Sequence, residues 1–136
     1  MVKLMQPQEV EVFYLIPGIK KNLAVCMRKS GLKQNEIANL LQIEDATVSH
    51  YLNNKRGNKF YFEKEVLKEI YKSSKLIKDE LSFLREVQRL LRVVKRTREI
   101  CRIHKILSSV PEECTPELIG CFGDEKDGKY AGICYR

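Results

Sequence analysis

The sequence predicts an all-α protein, with short helices in its first half, then one long helix and an irregular tail. Apolar residues recur at spacings of three and four from Val10 to Leu107, which is the period of amphipathic helices. Glycine or proline marks the main interruptions of this pattern, and four of the seven glycines follow Pro111. A hydrophobic content of 43% beside 32% charged residues is typical of a globular chain rather than a disordered one.

Three short helices are predicted in the first half. Pro17 suits the first turn of a helix, because the N–H that proline lacks is not used there, and Gly31 should follow the end of that helix. A second short helix comes next, and residues 42–44 form a tight turn. Glu44 or Asp45 can then cap a third helix.

The spacing of the second and third helices predicts a helix-turn-helix. Ala38 is the small residue where the two helices touch, the turn falls four residues later, and Val48 is buried six residues beyond that. The third helix runs to about Leu52, and its outward residues are small and polar. Small side chains let a helix backbone lie deep in the major groove of DNA.

A single long helix is predicted over residues 79–107. Its apolar stripe consists of Leu81, Leu84, Val87, Leu91 and Val94, extended by Ile100, Ile103 and Leu107. Such a stripe forms either intramolecular core or a seam with a second copy. We expect it to include the contact of a homodimer. The predicted units are then a helix-turn-helix domain over 1–78, a dimerisation helix over 79–107 and a cysteine-containing tail over 108–136.

The net charge of +7 is distributed unevenly. Between Arg85 and Lys105 there are eight Lys and Arg residues and two Glu residues, whereas from Pro111 onward six acids accompany three bases. A basic body suits a polyanionic partner such as nucleic acid, although a merely solvated helix would have the same composition. No apolar run reaches the ~20 residues that span a bilayer. The N-terminus has no export signal, so we expect no membrane association and a cytoplasmic location.

The segment LIPGIKKNLA…GLKQNEIANLLQIEDATVSHYLNNKRG, residues 15–57, resembles the lambda-repressor-like (Cro/XRE-type) regulators, and in particular the archaeal transcription regulators of that superfamily. The matching positions are the Ile-Pro-Gly-Ile-Lys run at 16–20, Gln34 at the start of the second helix, and the run from Val48 to Gly57. The chain departs from the pattern at Gln42, where the turn glycine is usual, and at Glu44 and Asp45. The resemblance implies an all-α, lambda-repressor-like helix-turn-helix domain that binds double-stranded DNA.

The resemblance also implies a role for each matching residue. Gln34 should hold a phosphate together with backbone N–H groups at the start of the second helix. The residues expected to face base edges are Asp45, Ala46, Thr47, Ser49 and His50. The residues expected to grip the flanking backbone are Asn53, Asn54, Lys55 and Arg56. Some members of this superfamily use the same fold to bind RNA, the ribosome or proteins, which leaves an adaptor as the alternative.

The five cysteines divide into one and four. Cys26 lies on the apolar face of the first helix and is interpreted as a small buried hydrophobe. The other four, Cys101, Cys114, Cys121 and Cys134, occupy the last 36 residues at intervals of 13, 7 and 13. A tail with so few large apolar residues cannot build a core, so a crosslink through these cysteines would stabilise it. In a chain that is not exported, metal ligation is expected before a disulfide framework.

Two metals fit these cysteines. Structural zinc usually uses a pair of ligands two to four residues apart, and only Cys101 and His104 meet that spacing. An iron–sulfur cluster tolerates irregular spacing, and Gly120, Gly123 and Gly132 lie near its candidate ligands. We therefore predict an iron–sulfur cluster on Cys101, Cys114, Cys121 and Cys134, with zinc as the alternative and metal-free thiol or disulfide chemistry third.

Motifs of catalysis are absent from the sequence. There is no Gly-rich phosphate loop and no recognisable pair of carboxylates, and no base is evident for a tail cysteine acting as nucleophile. We therefore predict that the protein is not an enzyme. The predicted function is a sequence-specific transcription regulator that senses iron–sulfur or redox status. The alternative is an RNA- or protein-binding adaptor with a structural zinc.

Overall fold

The structure, a computed structural model, describes residues 4–55 and 59–121. Within these ranges the chain is helical and contains no strand, so the all-α prediction is confirmed there. The elements are α1 Pro7–Val10, a π-helical segment Glu11–Leu15, α2 Ile16–Lys29, α3 Gln34–Leu41, α4 Asp45–Leu52, α5 Lys64–Leu76, α6 Glu80–Arg96, α7 Glu99–Leu107 and α8 Pro116–Ile119. None of the described helices is long and apolar enough to cross a membrane.

The leading helix is not interrupted at Pro17. Proline cannot donate a backbone hydrogen bond, and its ring crowds the carbonyl four residues earlier. A π-helical turn precedes it, in which the N–H of Ile16 reaches back to the carbonyl of Glu11. The wider turn keeps α1, the π-helical segment and α2 in one continuous helical run.

Gly18 allows the segment before α5 to pack closely on α2. A Cβ atom at this position would lie 3.0 Å from the ring of Phe60 and 3.3 Å from that of Phe62. The two rings pack edge to face, with centroids 5.0 Å apart, and both are buried. The chain that follows α4 therefore returns across α2 before it enters α5.

One hydrophobic core joins helices from both halves of the chain. It contains fully buried side chains from α2, α3, α5, α6 and α7, among them Ile19, Leu41, Ile70, Leu90 and Ile103. Helix α6 packs on α5 and also contacts α2 and α3. The helices on either side of residue 78 thus share a single core.

The stripe assigned to a subunit contact lies mostly inside the chain. Val87, Leu91 and Val94 are buried in the core just described, so they offer no surface to a second copy. Leu81 and Leu84 are 73% and 58% exposed and belong to the outward side of α6. The intramolecular interpretation of the stripe therefore applies to its three inner residues.

The single helix predicted over 79–107 is two helices. Asp79 caps the start of α6 by accepting a hydrogen bond from the N–H of Ser82, and the helix ends at Arg96. Arg98 then adopts a left-handed conformation with φ 60°, and α7 begins at Glu99. This turn lets α7 fold back and bury Ile103 in the shared core.

Candidate functional site

Helix α4 presents small polar side chains outward. Val48 and Tyr51 are buried and pack this helix against the core. The residues predicted to face bases, here called the α4 surface, are Asp45 and Ala46, which are exposed, and Thr47, Ser49 and His50, which are half-exposed. The two sides of α4 thus have the distribution that the sequence predicted.

A left-handed residue sets the turn between α3 and α4. Gln42 has φ 56° and ψ 45°, the conformation in which glycine is most common. The N–H of Ile43 closes the end of α3 on the carbonyl of Ala38 at 3.1 Å. Glu44 precedes α4 and makes no side-chain capping bond, although its carbonyl accepts from the N–H groups of Thr47 and Val48. The three residues 42–44 therefore connect the helices, as predicted.

Gln34 ties the starts of α3 and α4 together. Its Nε2 donates to the carbonyl of Asp45 at 3.1 Å. The N–H of Lys33 in turn donates to Oε1 of Glu36 at 3.1 Å, which closes the first turn of α3. The side chain predicted to hold a phosphate thus also fixes where α4 begins relative to α3.

The basic end of α4 is supported from α2. The N–H of Lys55 donates to the carbonyl of His50 at 2.8 Å, and Asn54 is left-handed with φ 58°. Nζ of Lys21 donates to Oδ1 of Asn54. Asn53, Asn54 and Lys55 are exposed, whereas Arg56 lies outside the described residues.

Lys21 was not among the residues predicted to form this site. Partial burial lowers the pKa of its ammonium group, and its contact with Asn54 places it beside the end of α4. The Ile-Pro-Gly-Ile-Lys run, which begins at Ile16, lies at the start of α2. Its match to the regulators was the sequence feature nearest to Lys21. Only the folded chain shows that the next residue reaches α4.

Helix α7 holds the segment that leads from α4 to α5. Oε1 of Glu99 accepts from the N–H of Glu63 at 2.8 Å, and Arg102 donates to the carbonyl of Tyr61. Nη2 of Arg102 and Oε1 of Glu99 are 2.6 Å apart, and Glu99 is buried. This ion pair raises the pKa of the Arg102 guanidinium. The backbone of residues 61–63 is thereby fixed by charged side chains of α7.

The same helix holds the N-terminal segment. Nε2 of His104 lies 2.6 Å from the carbonyl oxygen of Met5, and the N–H of Met5 donates to Oγ of Ser108 at 2.8 Å. His104 is buried. In the structure, this Nε2 therefore has a backbone partner.

Three of the four predicted ligand cysteines lie close enough for the charge of one thiol group to affect the pKa of another. Burial raises the pKa of the Cys101 thiol, and the charge of Cys114 raises it further. Burial likewise raises the pKa of Cys121, with additional contributions from Cys114 and then Cys101. All three side chains are half-buried, and Cys134 lies outside the described residues.

The described ranges, 4–55 and 59–121, contain no group of three or more His, Cys, Asp or Glu side chains arranged to hold a metal ion. The soft sulfur donors of Cys101, Cys114 and Cys121 are nevertheless the type that suits zinc or an iron–sulfur cluster. A bound cation would favour their thiolate forms and so oppose the effect of burial on each pKa.

Cys26 is less buried than predicted. It is half-buried on α2, and burial raises the pKa of its thiol, whereas the charge of Lys29 and a hydrogen bond with Ser74 lower it. The structure gives Cys26 a place in the packing of α2 near α5.

The chain matches no protein-family model, and comparisons with curated proteins and with solved structures found no similar protein.

Proposed function

We propose that this protein is a sequence-specific regulator of transcription that binds double-stranded DNA through a helix-turn-helix made of α3 and α4. The observation that carries the proposal is the α4 surface. It combines small, polar, solvent-facing side chains with a buried opposite side and a basic end. A helix of this shape can enter the major groove, where hydrogen-bond patterns differ between base pairs.

In this proposal the residues divide into two groups. Thr47, Ser49 and His50 reach base edges and choose the sequence, with Asp45 and Ala46 at the entrance of the groove. Asn53, Asn54, Lys55 and Arg56 contact phosphates and set the position of the helix. Lys21 supports that second group through Asn54. Gln34, the first residue of α3, holds a phosphate together with backbone N–H groups at the start of that helix.

The test selects binding sites from a random duplex library and then titrates the recovered sequence. Enrichment of one motif, with weaker binding of structured RNA, is the expected result. Thr47→Ala should change the recovered motif. The exposed cation Lys78, which lies between α5 and α6, provides a control, because Lys78→Ala should leave the motif unchanged. Tighter binding of structured RNA with no enriched duplex would contradict the proposal and support an RNA-binding adaptor.

We further propose that the cysteines make the regulator responsive to iron or redox state. Cys101, Cys114, Cys121 and Cys134 would hold an iron–sulfur cluster, with zinc as the alternative. A cluster would supply an oxygen-sensitive crosslink between the tail and the rest of the chain. The support is the shared neighbourhood of three thiols, one of which, Cys101, belongs to α7.

Helix α7 is the physical connection between the cysteines and the DNA-binding half in this proposal. It carries Cys101 and also the pair Glu99 and Arg102, which hold the backbone of residues 61–63. In the sequence, residues 56–58 lie between the basic end of α4 and this segment of backbone. A change in the position of α7 would therefore alter the support of the residues that grip the phosphates.

The sensor is tested by anaerobic purification. The expected protein is brown, loses its visible absorption in air and changes its DNA affinity at the same time. In Cys101→Ser, cluster loading should no longer change the DNA affinity. Cys26→Ser should change stability alone. Colourless protein containing about one zinc per chain would contradict the proposed sensor function and indicate a DNA-binding protein with a structural metal.

A homodimer on paired half-sites remains part of the proposal, because one small helix-turn-helix unit rarely binds tightly enough alone. Its interface does not include the buried residues of the α6 stripe. Sedimentation of the protein bound to its selected duplex tests the stoichiometry, and one chain per site at working concentration would contradict the dimer.

A further inference from the structure

The outward side of α6 carries a straight row of cationic and amide side chains. Arg85, Gln88, Arg92 and Arg96, here called the α6 arginine face, are all exposed. They stand at positions i, i+3, i+7 and i+11, so they share one side of the helix. From Arg85 to Arg96 the row is about 16 Å long, at the rise of an α-helix.

The three arginines of this face make no ion pair with any residue in the described ranges 4–55 and 59–121, although the charge of Arg85 contributes to the lowered pKa of Asp79, after the hydrogen bonds from Ser82. The neighbouring cations behave differently. Arg89 pairs with Glu69 and Glu86, and the remaining pairs are Lys95 with Glu11, Arg98 with Glu117, and Arg102 with Glu99 and Glu63. Lys105 on α7 is also exposed and unpaired within the described residues, but only the α6 arginine face places several such cations along one side of a helix.

Helix stability accounts for only part of this row, because Arg96 lies in the last turn of α6, where the helix dipole favours a cation, whereas Arg85 and Arg92 do not. The core contacts of α6 come from its opposite side, where Val87, Leu90 and Val94 are buried. Like charges one helical turn apart, such as Arg92 and Arg96, repel each other and weaken a helix. A row of like charges that makes no ion pair within the described residues fits a surface that meets an external anion.

The residue type and the spacing indicate a phosphate backbone. The planar guanidinium group presents two parallel N–H donors, which match the oxygens of a phosphate. Nucleic acid offers such groups at regular intervals along a line, and a straight row of arginines can follow that line. Gln88 contributes a neutral donor within the row, and no carboxylate belongs to the face.

We propose that the α6 arginine face binds the phosphate backbone of nucleic acid as a second contact, on a different helix from the α4 surface. As a second contact it rests on the proposed function, whereas its affinity for phosphates does not depend on groove recognition by α4. It adds affinity that is independent of sequence and sensitive to salt. The same face would attract an acidic polypeptide, and the experiment below separates the two partners.

The experiment measures affinity against salt concentration for the full chain and for Arg92→Gln/Arg96→Gln. The matched control is Lys64→Gln/Lys68→Gln, which removes the same charge from exposed positions on α5. A second control, Arg92→Lys/Arg96→Lys, keeps the charge and removes the planar donor pair. The probes are the selected duplex, a random duplex, single-stranded DNA and poly-glutamate. Circular dichroism verifies that each variant is folded.

The arginine variant should lower the slope of log affinity against log salt by about two units on both duplexes, and by slightly less on single-stranded DNA. The α5 control should keep the slope of the unmodified chain, and the lysine variant should keep the slope but bind more weakly, because it retains the charge and loses the planar donor pair. Equal slopes for the arginine variant and the unmodified chain would overturn the proposal. A loss confined to poly-glutamate would overturn it in favour of an acidic protein partner.

The single-stranded probe separates this proposal from that of groove recognition. If Thr47→Ala changes no sequence preference while the arginine variant still loses salt dependence on single-stranded DNA, the α6 arginine face stands and the helix-turn-helix proposal fails. If Thr47→Ala changes the preference and the arginine variant keeps its slope, the reverse holds.

Discussion

Two helices of this chain, α4 and α7, begin shortly after a residue in the left-handed conformation, yet only the first junction was evident from the sequence. Gln42 precedes α4 with φ 56°, and Arg98 precedes α7 with φ 60°. Neither residue is glycine, so composition did not mark either position. The first junction was predicted because the apolar pattern on both sides fixed its place. The second was missed because the apolar residues beyond it were taken as a continuation of the same stripe.

The phase of the apolar residues contained the missing signal. Ile103 follows Val94 by nine residues, and in a straight helix it would point to the opposite side, at about 100° per residue. Both side chains are nevertheless buried in one core. The helix must therefore turn between them, which it does at Arg98. A stripe that changes side is evidence for two helices, even when no glycine or proline separates them.

The largest expected effect tests the packing of α6, the helix that precedes the second junction. Leu91→Asp places a charge in the core that α6 shares with α2, α3 and α5, and it should lower the free energy of unfolding by at least about 3 kcal/mol. Leu84→Asp on the exposed side should change it by less than about 0.5 kcal/mol. Urea unfolding followed by circular dichroism measures both. Similar small effects would mean that α6 does not pack as described.

The next effect concerns how α7 is held once it has folded back. Glu99→Ala removes the acceptor for the N–H of Glu63 and leaves Arg102 without its nearest carboxylate. A loss of about 1–3 kcal/mol is expected. Hydrogen exchange should show faster exchange of the Glu63 amide. The exposed pair of Arg98 with Glu117 is the control, and Glu117→Gln should lower the free energy of unfolding by no more than about 0.5 kcal/mol and leave exchange of the Glu63 amide unchanged. Unaltered exchange at Glu63 after Glu99→Ala would contradict the contact.

A third prediction tests the DNA side of the first junction. Arg56→Ala should weaken binding to every duplex and lower the salt slope by about one unit, because the residue is assigned to the backbone. Ser49→Ala should instead reduce the discrimination between the selected duplex and a variant by about 1–3 kcal/mol at the affected base pair. Anisotropy titrations at several salt concentrations measure both. If Arg56→Ala left the slope unchanged, the assigned docking would be wrong.

The smallest effect compares the two junctions directly. Gln42→Gly relieves the left-handed strain of a non-glycine residue but adds freedom to the unfolded chain, so a gain of up to about 1 kcal/mol is expected. Arg98→Gly relieves the same strain and loses the ion pair with Glu117, so it should gain less. Thermal unfolding of both variants measures the order. A loss of stability in Gln42→Gly would show that its hydrogen bond to the carbonyl of Asn39 outweighs the strain.

The sequence was sufficient for features that depend on neighbours along the chain. The helical period, the turn at 42–44 and the small polar side of α4 follow from spacings of three, four and seven residues. The structure places these elements where they were predicted. The grouping of the cysteines in the tail was also visible, because it is a matter of position. These features needed no knowledge of which helices meet.

Tertiary structure decided the features that depend on distant residues. It buried Val87, Leu91 and Val94 within the chain, joined Lys21 to Asn54, and placed His104 on the carbonyl of Met5. The last two contacts bring together residues 33 and 99 positions apart, and nothing in local spacing encodes such pairs. An amphipathic stripe states only that one side will be covered. Whether a second copy or the same chain covers it depends on where the helix turns, and here the left-handed residue Arg98 sends α7 back onto the shared core.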